Sequence, residues 1–361
     1  MGLFVKIYTR NNWEINELSF KGRYNLIRDT FWSSKTYTDI SNILTDFHPD
    51  IVHIHNFFPL ISPSVFYACK RASVPAVLSV HNYRLICPNA LFSRSGHSCE
   101  DCMGKLFPYP GILHKCYRDS RAQSFPVASM LAYHRWKHTW DQEVDRFIAL
   151  SKFAAGKLIE GGFAPQKISI KPNFLVDPGE ENDRGDYAVC VGRLTAEKGI
   201  KTLIKALQQL PGIPIKIVGT GPLMKEILSQ IISHPNIELL GHLSYEETMK
   251  LIRRAKVLIF PTELYETFGR VIIEAYACRV PVIASRIGAV EELVIDGETG
   301  LLFTPGDSEE LRQKLDWLWK RPREITRMGT RARKEFEEKY TPEANYKQLM
   351  GIYQQVLGGS R

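Results

Sequence analysis

The chain has 361 residues, of which 44% are apolar and 24% are charged, a balance typical of a soluble globular protein. The length predicts two domains rather than one small core. The apolar runs fall well short of the ~18 residues that a membrane span needs. The opening MGLFVKIYTRNN has too short an apolar stretch for a signal peptide, so we expect a cytoplasmic protein.

The net charge of +8 lies entirely in the first half of the chain. Residues 1–175 hold 21 Lys and Arg against 13 Asp and Glu, whereas the remainder holds 26 of each. A basic surface favours anionic partners such as nucleic acid, an anionic membrane surface or a phosphorylated substrate. A solvated basic surface without any partner has the same composition, and the imbalance alone does not separate these possibilities.

The first half contains five short apolar runs that predict β-strands. A long, irregular stretch rich in cysteine and aromatic residues, 83–140, separates the third run from the fourth. The runs are LFVKIY (3–8), DIVHIH (50–55), AVLSVH (76–81), RFIAL (146–150) and KISIK (167–171).

Four cysteines within thirty residues predict a structural zinc site. Their spacing is C-x11-C-x2-C-x13-C, and tetrahedral zinc bound by four thiolates can hold together a loop that is too irregular to hold itself. Reduced thiols and two disulfides are the alternatives, but disulfides are disfavoured in a cytoplasmic chain with seven cysteines. A redox or iron–sulfur role is a weaker alternative. The candidate ligands are Cys87, Cys99, Cys102 and Cys116.

The segment 121–140 mixes large apolar residues with basic ones and predicts an amphipathic helix. Its apolar residues include Phe125 and Trp136, and its basic residues include Arg121, Arg135 and Lys137. Such a helix can bind the anionic inner surface of the cell membrane. It can equally pack on the sheet of the first domain with a basic outer face.

In the second half of the chain, short apolar runs alternate with segments whose apolar residues recur at helical spacing. This pattern predicts a parallel sheet with helices on both faces. Residues 172–186 are rich in Pro, Gly and acidic residues, and they predict a linker between two doubly wound domains that face each other across a cleft. The predicted strands are YAVCV (187–191), IPIKIV (213–218), NIELL (236–240), KVLIF (256–260), VPVIA (280–284) and GLLF (300–303).

Polar residues follow three of these strands, at the end of the sheet where ligands bind. Arg193 and Lys198 stand beside a predicted helix start, where cations and free amides favour a phosphate group. Two surface cations on a loop would give the same pattern, and Gly219 could mark only a tight turn. The stretch ELYETFGRVIIEA places Glu266 before a helix that we expect to begin near Arg270. Phe268 and Gly269 stand between Glu266 and the start of this helix, and Glu274 lies in its first turns.

Together these motifs resemble glycosyltransferase family 4, whose members are retaining enzymes with the GT-B fold. The resemblance rests on Arg193, Lys198, the block FPTELYETFGRVIIEAYACRVPVIASRIGAVEEL (260–293) and DGETGLLFTPGD (296–307). It extends to the first half through HPDIVHIHN (48–56), VLSVHNYRLICP (77–88), FIALSKFA (147–154) and KPNFLVD (171–177).

The resemblance implies transfer of a sugar from a nucleoside-diphosphate sugar to a glycan or a lipid-linked acceptor. Glu274 would bind the ribose, and Glu266 would hold the transferred sugar and stabilise positive charge at its anomeric carbon. The backbone around Phe268 and Gly269 would contact sugar or phosphate, with Gly219 also in the donor site. Arg193 and Lys198 would neutralise the leaving diphosphate. His81 would approach the donor sugar, and catalysis would need no metal cofactor.

One departure from the family concerns the first domain. We expect it to lack the usual first strand and glycine-rich loop, because the only glycines among residues 1–50 are Gly2 and Gly22. An impaired or non-catalytic sugar-nucleotide-binding protein is therefore the alternative. A zinc-dependent nucleic-acid binder is disfavoured, because such a module has no use for the donor-site residues. The expected domains are 1–172, 173–335, and a helix in 336–361 that returns to the first domain.

Overall fold

The computed structural model describes residues 3–11, 13–16, 20–179 and 185–359. Its strands are β1 (Val52–His55), β2 (Ala76–Val80), β3 (Ser93–Arg94), β4 (His97–Ser98), β5 (Arg146–Ala149), β6 (Ile168–Ile170), β7 (Ala188–Val191), β8 (Ile215–Val218), β9 (Ile237–Gly241), β10 (Val257–Phe260), β11 (Val282–Ser285) and β12 (Gly300–Phe303).

The helices follow the same chain order. They are α1 (Trp13–Asn16), α2 (Phe20–Phe31), α3 (Ser34–Phe47), α4 (Ser64–Arg71), α5 (Pro110–Leu113), α6 (Arg121–Trp136), α7 (Thr139–Gln142), α8 (Lys152–Glu160), α9 (Ile200–Leu207), α10 (Met224–Ile231), α11 (Tyr245–Arg254), α12 (Arg270–Ala277), α13 (Ala289–Leu293), α14 (Ser308–Trp319), α15 (Pro322–Lys339) and α16 (Pro342–Gly358). Short 3-10 turns lie at Pro165–Lys167 and Ala196–Lys198.

The first sheet is parallel and has the strand order β1-β2-β5-β6. Four of the five strands predicted in the first half are present in it. The prediction of a strand at residues 3–8 is wrong, because residues 3–11 form no strand. A short apolar run makes a strand only where a neighbouring strand accepts its hydrogen bonds, and in the described chain β1 pairs only with β2. The apolar side chains of Phe4 and Ile7 are therefore exposed, at 95% and 79%.

The second sheet is also parallel, with the order β9-β8-β7-β10-β11-β12. Numbered within this half, that order is 3-2-1-4-5-6, the doubly wound arrangement in which ligands bind where the strand order reverses. The reversal falls between β7 and β10, which are direct neighbours. All six predicted strands are present, and two apolar cores cover the two faces of the sheet. The doubly wound prediction is confirmed.

Two features join the halves of the chain. Helix α16 packs its Ile352 and Val356 against Val77 of β2 and Ile148 of β5, so the C-terminal helix lies on the first sheet. Across the cleft, the Tyr83 hydroxyl donates to the carbonyl of Glu266 at 3.2 Å. These contacts fix the carboxyl ends of the two sheets against each other. The domain boundaries expected at 172 and 335 stay predictions.

Helix α6 packs one face on the first domain and exposes the other. Met130 and Leu131 are fully buried against the first domain, whereas Phe125 and Trp136 are 56% and 63% exposed. Arg135 does not belong to the outer basic face, because its guanidinium turns inward to the carbonyls of Lys105 and Leu85. In the ranges that the structure describes, no helix has both the length and the apolar character needed to cross a bilayer.

Candidate functional site

Two glycines pack the loop that follows β7 against the loops that follow β10 and β8. Gly199 has φ of +68°, and a Cβ atom there would lie 1.7 Å from the carbonyl oxygen of Pro261. Gly219, after β8, has φ of +141°, and its Cβ would lie 1.9 Å from the carbonyl oxygen of Gly192. Only glycine tolerates both the left-handed backbone and this approach. Gly219 therefore packs against the β7 loop. That Gly219 contacts a donor stays a prediction.

This packing places Lys198 beside Glu266. The Lys198 ammonium forms an ion pair with Oε1 of Glu266, and the Thr262 hydroxyl donates to the same oxygen at 3.3 Å. Both side chains of the pair remain partly accessible, at 23% and 17%. Arg193, on the same loop as Lys198, is exposed and makes no ion pair with any residue in the described ranges. Lys198 and Glu266 therefore meet at the reversal of strand order, and Arg193 lies on the same loop as Lys198.

The second carboxylate lies deeper, on helix α12. This helix begins at Arg270, as predicted, with Gly269 as its N-cap residue. Glu274 is only 6% exposed. Burial raises the pKa of the Glu274 carboxyl, and Arg270 partly offsets this shift through an ion pair at 3.2 Å. The ring of Phe268 packs against Tyr340 in the core, so only the backbone of Phe268 is free to contact a ligand.

A cavity of about 860 Å³ lies between the two halves of the chain. Its size is within the range of small-molecule sites. One wall is the segment that links the domains, one is helix α11 with the start of α12, and His81 closes the side of the first domain. The lining residues include His81, Asn173–Pro178, Tyr245, Met249, Lys250, Arg253 and Arg270.

His81 lies at the junction of this cavity and a second one. The second cavity, of about 680 Å³, lies within the first domain and is also lined by His81. The His81 ring is hydrogen-bonded to His55 at 2.7 Å, and the Thr267 hydroxyl donates to the His81 carbonyl at 3.0 Å. Burial, with smaller effects from His55 and Lys171, lowers the pKa of His81 to about 4. The imidazole is therefore neutral near pH 7.

The sequence analysis did not identify the histidines that lie beside His81. His53 and His55 lie two residues apart on β1, and their rings stack 4.3 Å apart. His53 is hydrogen-bonded to Ser79 at 2.8 Å and to Tyr353 of α16 at 2.7 Å. Burial lowers the pKa of His53 to about 3. The signal was the H-x-H spacing at a strand end, because residues two apart in a strand share a face.

The four predicted metal ligands also come together. Cys87, Cys99, Cys102 and Cys116 all line one small cavity in the first domain. As the side chains stand, the described residues hold no group of three or more His, Cys, Asp or Glu placed to bind a metal ion. Zinc at this cluster stays a prediction.

Comparisons with known proteins agree with this division into two halves. Residues 16–176 match the family model for Glycosyltransferase Family 4, and residues 174–335 match the model for Glycosyl transferases group 1. The two matches are adjacent and together span both sheets and the cleft between them.

Two relatives show how far the likeness extends. The uncharacterized glycosyltransferase MJ1178 of Methanocaldococcus jannaschii is 29% identical over 217 residues, which are 59% of this chain and 60% of that protein. The sulfoquinovosyl transferase SQD2 of Arabidopsis thaliana is 28% identical over 308 residues, which are 81% of this chain and 54% of that protein. The chain thus spans a little over half the length of these curated relatives.

A solved structure shares the fold over most of both chains. The structure of Anabaena Alr3699/HepE in complex with UDP has a TM-score of 0.67 at 19% identity, covering 88% of this chain and 82% of that one. At this identity the likeness concerns the fold alone. With both halves matched and the two-sheet architecture shared, the chain belongs to glycosyltransferase family 4 and has the GT-B fold.

Proposed function

We propose that the protein transfers a sugar, with retention of anomeric configuration, from a nucleoside-diphosphate sugar to a glycan or lipid-linked acceptor of cell-envelope polysaccharide synthesis. The observation that carries the proposal is the position of His81. This residue lines both the cavity between the domains and the cavity of the first domain. A transferred group must pass between a donor site and an acceptor site; His81 reaches both cavities, and the hydroxyl of Thr267, the residue after Glu266, donates to its carbonyl.

The donor would occupy the cleft side of the second sheet. Arg193 and Lys198 supply positive charge for the leaving diphosphate, and Glu266 faces the same point from the β10 loop. Glu274, buried beneath Arg270, is suited to accept hydrogen bonds from ribose hydroxyls. Because the HepE structures contain UDP and UDP-glucose, uridine diphosphate sugars are the first donors to test.

The acceptor would occupy the cavity of the first domain. Aromatic side chains of Trp13, Phe58 and Tyr117 line it together with Arg10 and Arg118. Aromatic faces suit the apolar faces of sugar rings, and guanidinium groups suit a phosphate. This combination fits a sugar attached to a lipid phosphate better than it fits a neutral free sugar.

Transfer can be tested with labelled donors and native acceptors. A panel of nucleoside-diphosphate sugars, each labelled in the sugar, would be incubated with the protein and with membranes that carry lipid-linked saccharides. We expect label from one donor to enter the organic-extractable lipid fraction or a polymer. Saturable donor binding with no incorporation from any donor would support the non-catalytic alternative instead.

The exposed face of α6 would bring the enzyme to such acceptors. Phe125, Tyr133 and Trp136 lie on one side of this helix with Arg121 and Lys137, and all five are exposed. We propose that this aromatic-basic face binds an anionic membrane, where aromatic rings enter the interface and cations meet lipid phosphates.

We expect the double variant Phe125→Ser/Trp136→Ser to bind anionic vesicles at least about tenfold more weakly, because two aromatic side chains no longer enter the interface. Co-sedimentation with phosphatidylglycerol vesicles measures this. The control is Leu228→Ser/Ile232→Ser, which removes two exposed apolar residues from the second domain and should bind as the wild type does. Equal binding by both double variants would contradict the assignment of this face.

A further inference from the structure

The Cys-rich segment has little regular structure to hold it in place. Between Cys87 and Cys116 it forms one hairpin of two-residue strands, β3 and β4, and the four-residue helix α5. Segments of this kind in proteins depend on disulfides or metals for stability. All seven cysteines of the chain carry free thiols in this structure. The four in this segment nevertheless face a common point.

That point is a cavity of about 10 Å³. It is close to the minimum that one water molecule needs, so it suits a single small ion and excludes larger groups. Its lining includes all four cysteines of the segment, together with Asp101 and His114. Cys69 does not line this cavity; it is fully buried in the apolar core of the first domain.

Two of the sulfur atoms make local contacts. The Cys87 thiol donates to Oδ1 of Asn89 at 3.0 Å, and the Cys102 thiol lies 3.8 Å from the carbonyl oxygen of Pro108. Metal binding would replace both contacts, and it requires the side chains of Cys87 and Cys102 to turn toward the cavity that they line.

Two cations beside the cluster lack carboxylate partners. Arg84 and Arg135 are partly buried, and neither makes an ion pair with a carboxylate of the described residues; their guanidinium groups bond to backbone carbonyls instead. Arg84 lies close enough to Cys87, and Arg135 to Cys102, for electrostatic interaction. Buried cations need an opposite charge nearby. A divalent metal with four thiolates carries a net charge of −2, which two arginines would balance.

We propose that Cys87, Cys99, Cys102 and Cys116 bind one Zn²⁺, with release of four thiol protons, and that the metal holds the β3–β4 hairpin in place. Four sulfur ligands in tetrahedral geometry are typical of structural zinc.

The hairpin reaches the second domain near the proposed donor site. The Ser98 hydroxyl donates to the carbonyl of Glu263 at 3.5 Å, and a Cβ atom on Gly96 would lie 3.6 Å from the Cβ of Ala196. Both contacts are on the loops that carry Lys198 and Glu266. Zinc would therefore support the cleft from outside it, without taking part in the chemistry.

Metal analysis tests this independently of any enzymatic activity. We expect wild-type protein purified without added metal to hold about one zinc per chain, and Cys99→Ser/Cys102→Ser to hold less than about a fifth of an equivalent. Cys69→Ala should keep about one zinc, because this cysteine lies outside the cluster. His114→Ala should also keep about one zinc, which distinguishes the four-cysteine ligand set from one that uses His114.

Because the double variant could fail to fold, the wild type supplies a second measurement. A mercurial that titrates thiols should release about one zinc per chain in parallel with modification of these four cysteines. The proposal would be overturned by iron in place of zinc, by two disulfides in peptides mapped without reduction, or by four freely reacting thiols in metal-free protein. Loss of zinc from His114→Ala would overturn the ligand set.

Discussion

Replacing Glu266 by glutamine is expected to lower turnover about 10²- to 10³-fold while changing the affinity for nucleoside diphosphate only slightly. The carboxylate faces the point where the sugar leaves the diphosphate, and its negative charge matters most when positive charge develops at the anomeric carbon. Glutamine keeps the size of the side chain and can still accept the hydrogen bond from Thr262. The substitution therefore removes charge with little change in packing.

Two further variants test whether this effect is specific to Glu266. Glu274→Ala should behave in the opposite way and weaken the nucleotide itself, because Glu274 would bind the ribose. Glu263→Gln is the matched control: it lies in the same loop, and its carboxylate accepts a hydrogen bond from Thr202 that an amide oxygen can also accept. Its turnover should stay within about twofold of the wild type.

Steady-state kinetics and calorimetry on the same preparations separate the two effects. If Glu266→Gln turned over at the wild-type rate, Glu266 would have no role in the mechanism. An equal loss of turnover and of nucleoside diphosphate affinity would move its role from the sugar to the nucleotide.

Removing the Lys198 ammonium is expected to weaken nucleoside diphosphate binding by about 1.5–3 kcal/mol, the usual value of a hydrogen bond to a charged group. The loss should be larger than for Arg193→Ala, because Lys198 also neutralises Glu266. Without it, an unpaired carboxylate faces the diphosphate. The double variant Lys198→Ala/Glu266→Gln should therefore bind the nucleotide more tightly than Lys198→Ala alone.

Isothermal titration with nucleoside diphosphates measures these affinities. Lys201→Ala is the control, since Lys201 is exposed on α9 and pairs with Glu226, and its affinity should match that of the wild type. Unchanged affinity in both Arg193→Ala and Lys198→Ala would show that the diphosphate does not bind at the β7 loop.

The second half of the chain was predictable because its signals are local. Each strand is a short apolar run followed by a helix with apolar residues at helical spacing, and the Ser244–Glu247 capping box, a local motif, starts α11. The ends of β7 and β10 could be placed together because a doubly wound sheet makes them neighbours. The family motifs lie at those ends, and the resemblance to the family assigned the donor roles to their residues.

The errors concern contacts between distant parts of the chain. Residues 3–8 form a short apolar run, but a strand also needs a partner that the sequence does not show. The link from His55 to His81 depends on β1 lying beside β2, and Arg135 turns toward carbonyls fifty and thirty residues earlier in the chain. The Lys198–Glu266 ion pair likewise depends on Gly199 packing against Pro261, which no local pattern indicates.

The most direct test of the central claim is the release of sugar from nucleoside-diphosphate sugars without any added acceptor, because it does not depend on knowing the acceptor. Wild-type protein would be incubated with a panel of donors, and free sugar and nucleoside diphosphate would be quantified together. The account predicts slow, equimolar release from at least one donor, and its near-complete loss in Glu266→Gln. Clear binding of nucleoside diphosphate with no release from any donor would contradict it.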